Sequence, residues 1–407
     1  MIDSIKMTPQ LLKGFRDFLP KEAVKRQWLK EKIRATCESW GFEPLETPTL
    51  EPLELFEGQV GEDEKLFFKF EDQGGRQVAL RYDQTVPTCR VVGQNYQQLT
   101  MPFKRYQIQP AFRAEKPQKG RYREFLQCDA DIFGDESPFA DAEVIALSLD
   151  IYRRLGFKQA KVLINNRELV KDIPYPAIAA IDKLKKIGKE GVVAEMKSKG
   201  ISESIARDYL DLMLNLKPDE TINIILKSLE NYGFDKSWYA FEPTIARSFS
   251  YSTGPIWEIV IPGFESGSVL GGERFDKLVE RVSGVKIPAT GFGLGFDRTL
   301  EAAEQLGLVP ETGTASKILI TVFSPELQSN SASVANKIRS QGVNAEIYTN
   351  PSAKLDKQLK YADKKGIPYV VIIGPEEAAK DVVTLKNMKE KTQQTIVIPD
   401  LIRNLFK

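Results

Sequence analysis

Histidine is missing from all 407 residues of the chain. Its absence removes the commonest general base and the commonest metal ligand. Ser/His/Asp and Cys/His catalysis are excluded with it. Cysteine is nearly as scarce. Cys37, Cys89 and Cys128 lie far apart, so no zinc spacing or disulfide framework can be read. Each reads as a small buried residue. Net charge is almost absent too, with 57 Lys and Arg against 56 Asp and Glu. No apolar run is long enough to span a bilayer, and no apolar signal region opens the chain. The expected compartment is therefore the cytoplasm, with no membrane partner. Arginine, lysine, carboxylates, backbone amides and bound ions remain to do chemistry. That set suits phosphate substrates, where positioning and charge stabilisation dominate.

The length predicts two or three domains. Residues 21–40 carry apolar positions at helical spacing, closed by Gly41. "KLFFKFED" and "RQVALRYD" read as strands around the turn "QGG". Ser137-Pro138 opens a second helix, with Gly156 at its end. "AKVLINN" reads as a strand. From Glu168 to about Tyr232 the pattern turns helical and Lys-rich, as in an insertion. Strands and glycines return up to "GLGFDR", and a helix follows at about 299–306. "VPETGTAS" is a linker candidate, and beyond it strands alternate with helices as in a small βαβ-type domain. This tail holds 14 basic and 9 acidic residues, so the near-zero total conceals a basic module. The expected division is 1–167 and 235–310 as two parts of one core, 168–234 as a helical insertion, and 317–407 as a separate domain.

Chemistry concentrates in "AFRAEKPQKGRYREFLQCDAD", residues 111–131. Alternation along strands puts Arg113 with Glu115, and Arg123 with Phe125, Gln127, Asp129 and Asp131. Arg81, Asp83 and Thr85 share a face in the same way. Any one of these strands reads equally as the solvated face of a sheet packed on one side. Phe125 and Gln127 among the charges favour a binding face for a purine base and its phosphates. The turn "EKPQKGR" reads as an exposed loop or a phosphate clamp, and arginine forks bind phosphate oxygens in pairs. "GFGLGFDR" has the glycines of a strand packed closely under a ligand. It fits neither a Rossmann fingerprint nor a P-loop.

These segments resemble the class II aminoacyl-tRNA synthetases, and within them the histidyl-tRNA synthetase family. "FRAEKPQKGRYREF" resembles the second class II motif and "GFGLGFDR" the third. "FEPLETPTLEP" is similar to the first, which lies at the dimer interface. "LRYDQT" resembles an amino-acid-binding segment, "IARSFSYSTGPIWE" and "LGGERFDKL" resemble two segments characteristic of the histidine enzymes, and the tail resembles an anticodon-binding domain. The resemblance implies an α+β fold: a six-stranded antiparallel catalytic sheet flanked by helices, a helical insertion, and a C-terminal α/β anticodon-binding domain, in a homodimer.

The implied activity is ATP-dependent formation of histidyl-adenylate and transfer to tRNA. ATP is a substrate, Mg²⁺ accompanies it, and no protein-held metal is expected. Arg113 would hold the α-phosphate, Glu115 the adenine amino group, and Phe125 would stack on the base. Arg121, Arg123 and Arg298 would hold the outer phosphates and the far face of the nucleotide. Asp83, Thr85 and Gln127 would bind the α-amino group, and Asp131 would face the imidazole. Arg247 would bridge the substrate carboxylate and the α-phosphate, and Tyr251 remains as a hydroxyl partner. Departures from the family pattern fall on the amino-acid side. Ser250 stands for an aspartate, Ser252 and Phe275 for tyrosines, and Glu273 for a glycine. Two other readings follow. One is a related enzyme for another amino acid. The other is a non-catalytic paralogue acting as a regulatory binding module, which the retained arginines and tail argue against.

Overall fold

The computed structural model describes residues 10–405 apart from 60, 118–119, 246–250, 266 and 312. Two compact units emerge. Among the described residues, one takes 10–17 with Leu29–Val309 and the other takes Phe18–Trp28 with 310–405. Residues 18–28 thus group with the tail, although the expected division gave them to the core.

In chain order the first unit contains α1 (Pro20–Ser39, whose first turns group with the second unit), β1 (Glu43–Pro44), β2 (Leu50–Pro52), β3 (Lys69–Glu71), β4 (Gln77–Leu80) and α2 (Thr85–Asn95). The hairpin β5 (Phe103–Phe112) and β6 (Glu124–Phe133) follows, then α3 (Pro138–Leu155) and β7 (Lys161–Asn166). Four helices come next: α4 (Tyr175–Ile181), α5 (Leu184–Ser198), α6 (Glu203–Leu214) and α7 (Glu220–Asn231). The unit closes with β8 (Tyr239–Phe241), β9 (Pro255–Val260), β10 (Leu270–Arg274), α8 (Leu278–Ser283), β11 (Ala289–Gly295) and α9 (Phe296–Gln305).

The main sheet has eight strands in the order β1-β5-β6-β11-β10-β9-β7-β8. Its six central strands are antiparallel, as the resemblance implied. The two edge strands, β1 and β8, add in parallel. Under the sheet runs α3, buried along most of its length. Its ends are set locally. The Ser137 hydroxyl accepts from the Ala140 amide, Pro138 takes the first turn, and Gly156 closes the helix at φ 92°. Helices α4–α6 bury an apolar cluster of their own, from Val170 to Met213. All three cysteines are buried and free.

Two strand readings need correction. "RQVALRYD" leaves the strand at Leu80, and Thr85 already begins α2. Arg81 is pulled inward, where it donates to Pro110 O at 2.6 Å and Thr47 O at 2.8 Å. These carbonyls need a buried donor, and that demand outweighs strand alternation. Likewise β5 stops at Phe112, so Arg113 and Glu115 are not on a strand face.

The second unit has a five-stranded sheet built from β12 (Ile318–Ile320), β13 (Ala345–Ile347), β14 (Tyr369–Ile372), β15 (Val382–Asn387) and β16 (Gln393–Val397), in the order β13-β12-β14-β15-β16. The first three strands are parallel, as the alternating pattern predicts. The antiparallel ribbon β15–β16 was not legible. Its connection, residues 388–392, carries no Asn-Gly or Asp-Gly signal. Among the described residues no helix is long and apolar enough to cross a membrane.

Candidate functional site

A cavity of about 780 Å³ opens over the centre of the main sheet. Its floor is short of side chains for a structural reason. Gly291, Gly293 and Gly295 of β11 stand opposite Asp131, Asp129 and Gln127 of β6, and Gly271 of β10 stands opposite Gly293. Directly opposed residues in a sheet share a face. A Cβ at Gly291 would overlap Asp131 Oδ1, and one at Gly272 would overlap the Trp257 ring. The glycines thus leave room above the sheet, room for the Asp131 carboxylate beside Gly291 and, on the opposite face, room for the Trp257 ring.

The lining includes Asp83, Thr85, Arg113, Glu115, Arg121, Phe125, Gln127, Asp131, Tyr251 and Arg298. Expected site residues from four separate stretches of chain are therefore brought together. Arg247 lies outside the described residues. Arg123 does not line the cavity. Its Nε donates to Glu115 O at 3.0 Å and its Nη1 to Lys13 O at 3.3 Å. It braces the loop that carries Glu115.

The basic end is built from stacked and half-buried arginines. The Arg113 guanidinium lies 4.3 Å from the centre of the Tyr82 ring and 5.1 Å from that of Phe125. Its Nε donates to Tyr82 O at 3.3 Å. Arg121 reaches Glu115 at 3.4 Å. Arg298, in the first turn of α9, donates to Ser268 O at 3.0 Å. Burial, and then the repulsion of Arg121, holds the Arg298 guanidinium below its ordinary pKa. An arriving polyanion would relieve that repulsion.

The acidic end is buried. Burial raises the pKa of Asp83, whose Oδ1 accepts from the Val86 amide at 3.2 Å. Burial pushes Asp129 up to about 8 and Asp131 up to about 6, while Arg105 pulls both down. Gln127 Nε2 donates to both Asp129 oxygens at 2.9 and 3.0 Å, leaving its Oε1 as an acceptor. Arg105, fully buried on β5, forms an ion pair with Asp131 Oδ2.

Sequence reasoning missed Arg105. The signal was present: alternation along "KRYQIQPAFR" puts Arg105, Gln107 and Gln109 on the face of Arg113. Glu273, read only as a departure from a pattern, also lines the cavity and is buried. Tyr82 was missed as a stacking partner because its neighbours were read as a strand. Among the described residues there is no cluster of three or more acidic or cysteine side chains able to hold a metal ion.

A cavity with arginines at one end and buried acids at the other fits a nucleotide and an amino acid laid end to end. Comparison with known proteins agrees. A family model described as "Histidyl-tRNA synthetase" matches residues 14–230, and one described as "Anticodon binding domain" matches residues 317–406. The histidine–tRNA ligase of Cytophaga hutchinsonii is 33% identical over 98% of this chain and 99% of its own length. That of Wolinella succinogenes is 35% identical over 98% of both. The crystal structure of histidyl-tRNA synthetase from Nostoc sp. PCC 7120 superposes with a TM-score of 0.86 at 28% identity, covering 98% of this chain and 99% of that one. Site geometry, family match and full-length relatives converge: this chain belongs to the histidyl-tRNA synthetase family.

Proposed function

We propose that the protein activates histidine with ATP to histidyl-adenylate and then transfers the histidyl group to the 3′ end of tRNA(His). It would work as a cytoplasmic homodimer. The carrying observation is the single cavity that joins stacked Arg113 and half-buried Arg298 to buried Asp83, Gln127 and Asp131. Arg113, Arg121 and Arg298 bind the triphosphate, Glu115 the adenine amino group, and Phe125 the face of the base. Asp83, Thr85 and the Gln127 Oε1 bind the substrate ammonium, whose positive charge compensates the buried acid. Asp131 receives a ring N–H.

No protein base is needed, because the nucleophile is the substrate's own ionised carboxylate. Its oxygen forms a bond to the α-phosphorus as the bond to the pyrophosphate oxygen breaks. The barrier is anion repulsion, and fixed cations lower it. Arg247 is proposed for that role between carboxylate and α-phosphate. Mg²⁺ would arrive on the nucleotide's phosphates, where it neutralises charge on the leaving pyrophosphate. The C-terminal unit, with its net positive charge, would take the anticodon arm.

ATP–pyrophosphate exchange run with each amino acid in turn tests the reading. Histidine alone should support exchange. Preference for another amino acid overturns the specificity. Absence of exchange with all of them overturns the enzyme reading.

A further inference from the structure

Two positions that depart from the family pattern, Ser252 and Glu273, touch each other. The Ser252 hydroxyl donates to Glu273 Oε2. Glu273 sits on β10 directly opposite Gly291, and Gly291 sits directly opposite Asp131. The three residues form one row across the sheet, on the cavity face. Asp131 Oδ1 fills the space where a Gly291 Cβ would stand. Two acidic residues therefore flank one glycine on the cavity face of the sheet. Both are buried, and both line the cavity. Tyr251 and Phe275, edge to face at 6.2 Å, line the same end and offer a flat ring a wall.

We propose that Glu273 is a second reader of the substrate's imidazole, facing Asp131 across Gly291, so that the ring is bound together with one extra proton. The proposal rests on the histidine reading above. A neutral imidazole has one N–H donor and one lone pair, whereas a carboxylate only accepts. Between two carboxylates the ring satisfies both only by carrying an N–H on each nitrogen. If one carboxyl keeps its proton instead, the complex still holds one proton more than neutral histidine and two ionised acids. Burial, which raises Asp131, favours that uptake.

The charged and titratable surroundings come from several elements. Arg105 on β5 pairs with Asp131, Asp129 lies two residues away on β6, and Asp83 precedes α2. Cys89 on α2 is held neutral by burial. Glu258 on β9 stands opposite Gly271. Arg113 acts on Asp83 from the basic end. Arg274, next to Glu273, is engaged elsewhere by Asp141 and Asp276.

The sign of the pH effect follows. Free imidazole has a pKa of about 6.5. Below that pH, histidine brings the extra proton itself. Above it the proton must come from solvent, so the apparent KM for histidine rises with pH, by up to about tenfold per unit. Asp129, which burial raises to about 8, is present in all three proteins, so the pH effect of Glu273 is read as a difference between them.

The test is exchange kinetics of the full chain from pH 6.5 to 8.5, for wild type, Glu273→Gln and Ser252→Ala, with thermal unfolding as a check on folding. Wild type should show a histidine KM that climbs with pH. Glu273→Gln should raise that KM roughly 10- to 100-fold at pH 7, since a hydrogen bond to a charged group is lost. It should also flatten the climb, because an amide can serve a neutral ring, and leave the KM for ATP unchanged. Ser252→Ala should raise the histidine KM less and keep the climb. A wild-type KM that stays flat with pH overturns the proposal whatever the variants do. An unchanged KM and slope in Glu273→Gln overturns it as well. A wild type that exchanges with a different amino acid, or with none, overturns instead the function on which the proposal rests.

Discussion

At the basic end of the cavity the charges keep contact with water, and at the acidic end they do not. The Arg121 side chain is 55% exposed, whereas Asp83, Asp129 and Asp131 are 5%, 3% and 2% exposed. At the basic end ring faces and backbone carbonyls fix the Arg113 and Arg298 planes without neutralising them. It stays ready for a polyanion that brings its own solvation and metal ion. The acidic end holds its carboxylates by burial against one buried cation, Arg105. Charge there is costly, so the acids are raised toward neutrality and wait for a cationic ligand. One end discriminates by geometry and the other by the energy of unpaired buried charge.

The contrast can be broken most sharply at Asp131. Asp131→Ala should leave Arg105 fully buried beside a lost carboxylate, costing roughly 3–5 kcal/mol of stability. It should also raise the histidine KM while leaving that for ATP nearly unchanged. Denaturant unfolding and exchange kinetics read the two effects. A stability loss below about 1 kcal/mol would show that the acidic end is solvated after all.

Arg113→Ala probes the other end. Exchange turnover should fall roughly 10²–10³-fold, about 2.7–4 kcal/mol, by analogy with removing one preorganised donor to a developing charge. Stability should change less than in Asp131→Ala, since Asp83, the buried acid on which Arg113 acts, keeps the Val86 amide and the charge of Arg105. Arg113→Lys should rescue little, because an ammonium lacks the planar fork that stacks between Tyr82 and Phe125. Full activity in the lysine variant would refute the stacking argument.

The smallest expected effect sharpens the comparison. Asp129 has a folded-state pKa of about 8, above its unfolded value, so the native state holds its proton more tightly. Wild-type stability should therefore decline as pH rises through that window. Asp129→Asn cannot ionise and should gain on wild type by about 1 kcal/mol between pH 7 and pH 8. Unfolding at both pH values measures the gain. A constant difference would mean that Asp129 is already ionised at pH 7.

How much was legible depends on the range of the interaction. Arg113 and Arg121, the glycines of "GFGLGFDR" and the caps of α3 rest on local patterns; the arginines and glycines line the cavity and the caps bound the helix. Arg81 was misread because its partners, Thr47 and Pro110, lie 34 and 29 residues away. Arg123 was misread because its carbonyl partners lie in the chain before α1 and in the Glu115 loop.

Composition and motif spacing by themselves determined the chemical vocabulary: no histidine, a phosphate-binding set of arginines, an acid-rich strand and a basic tail. These are properties of neighbouring residues, fixed before any folding. The tertiary structure decided which acid meets which cation and which glycine. Strand register pairs Arg105 with Asp131, Asp131 with Gly291, and Gly291 with Glu273, across about 190 residues of chain. Burial then decides the charge each carboxylate can bear, because desolvation depends on what the whole sheet and its helices cover.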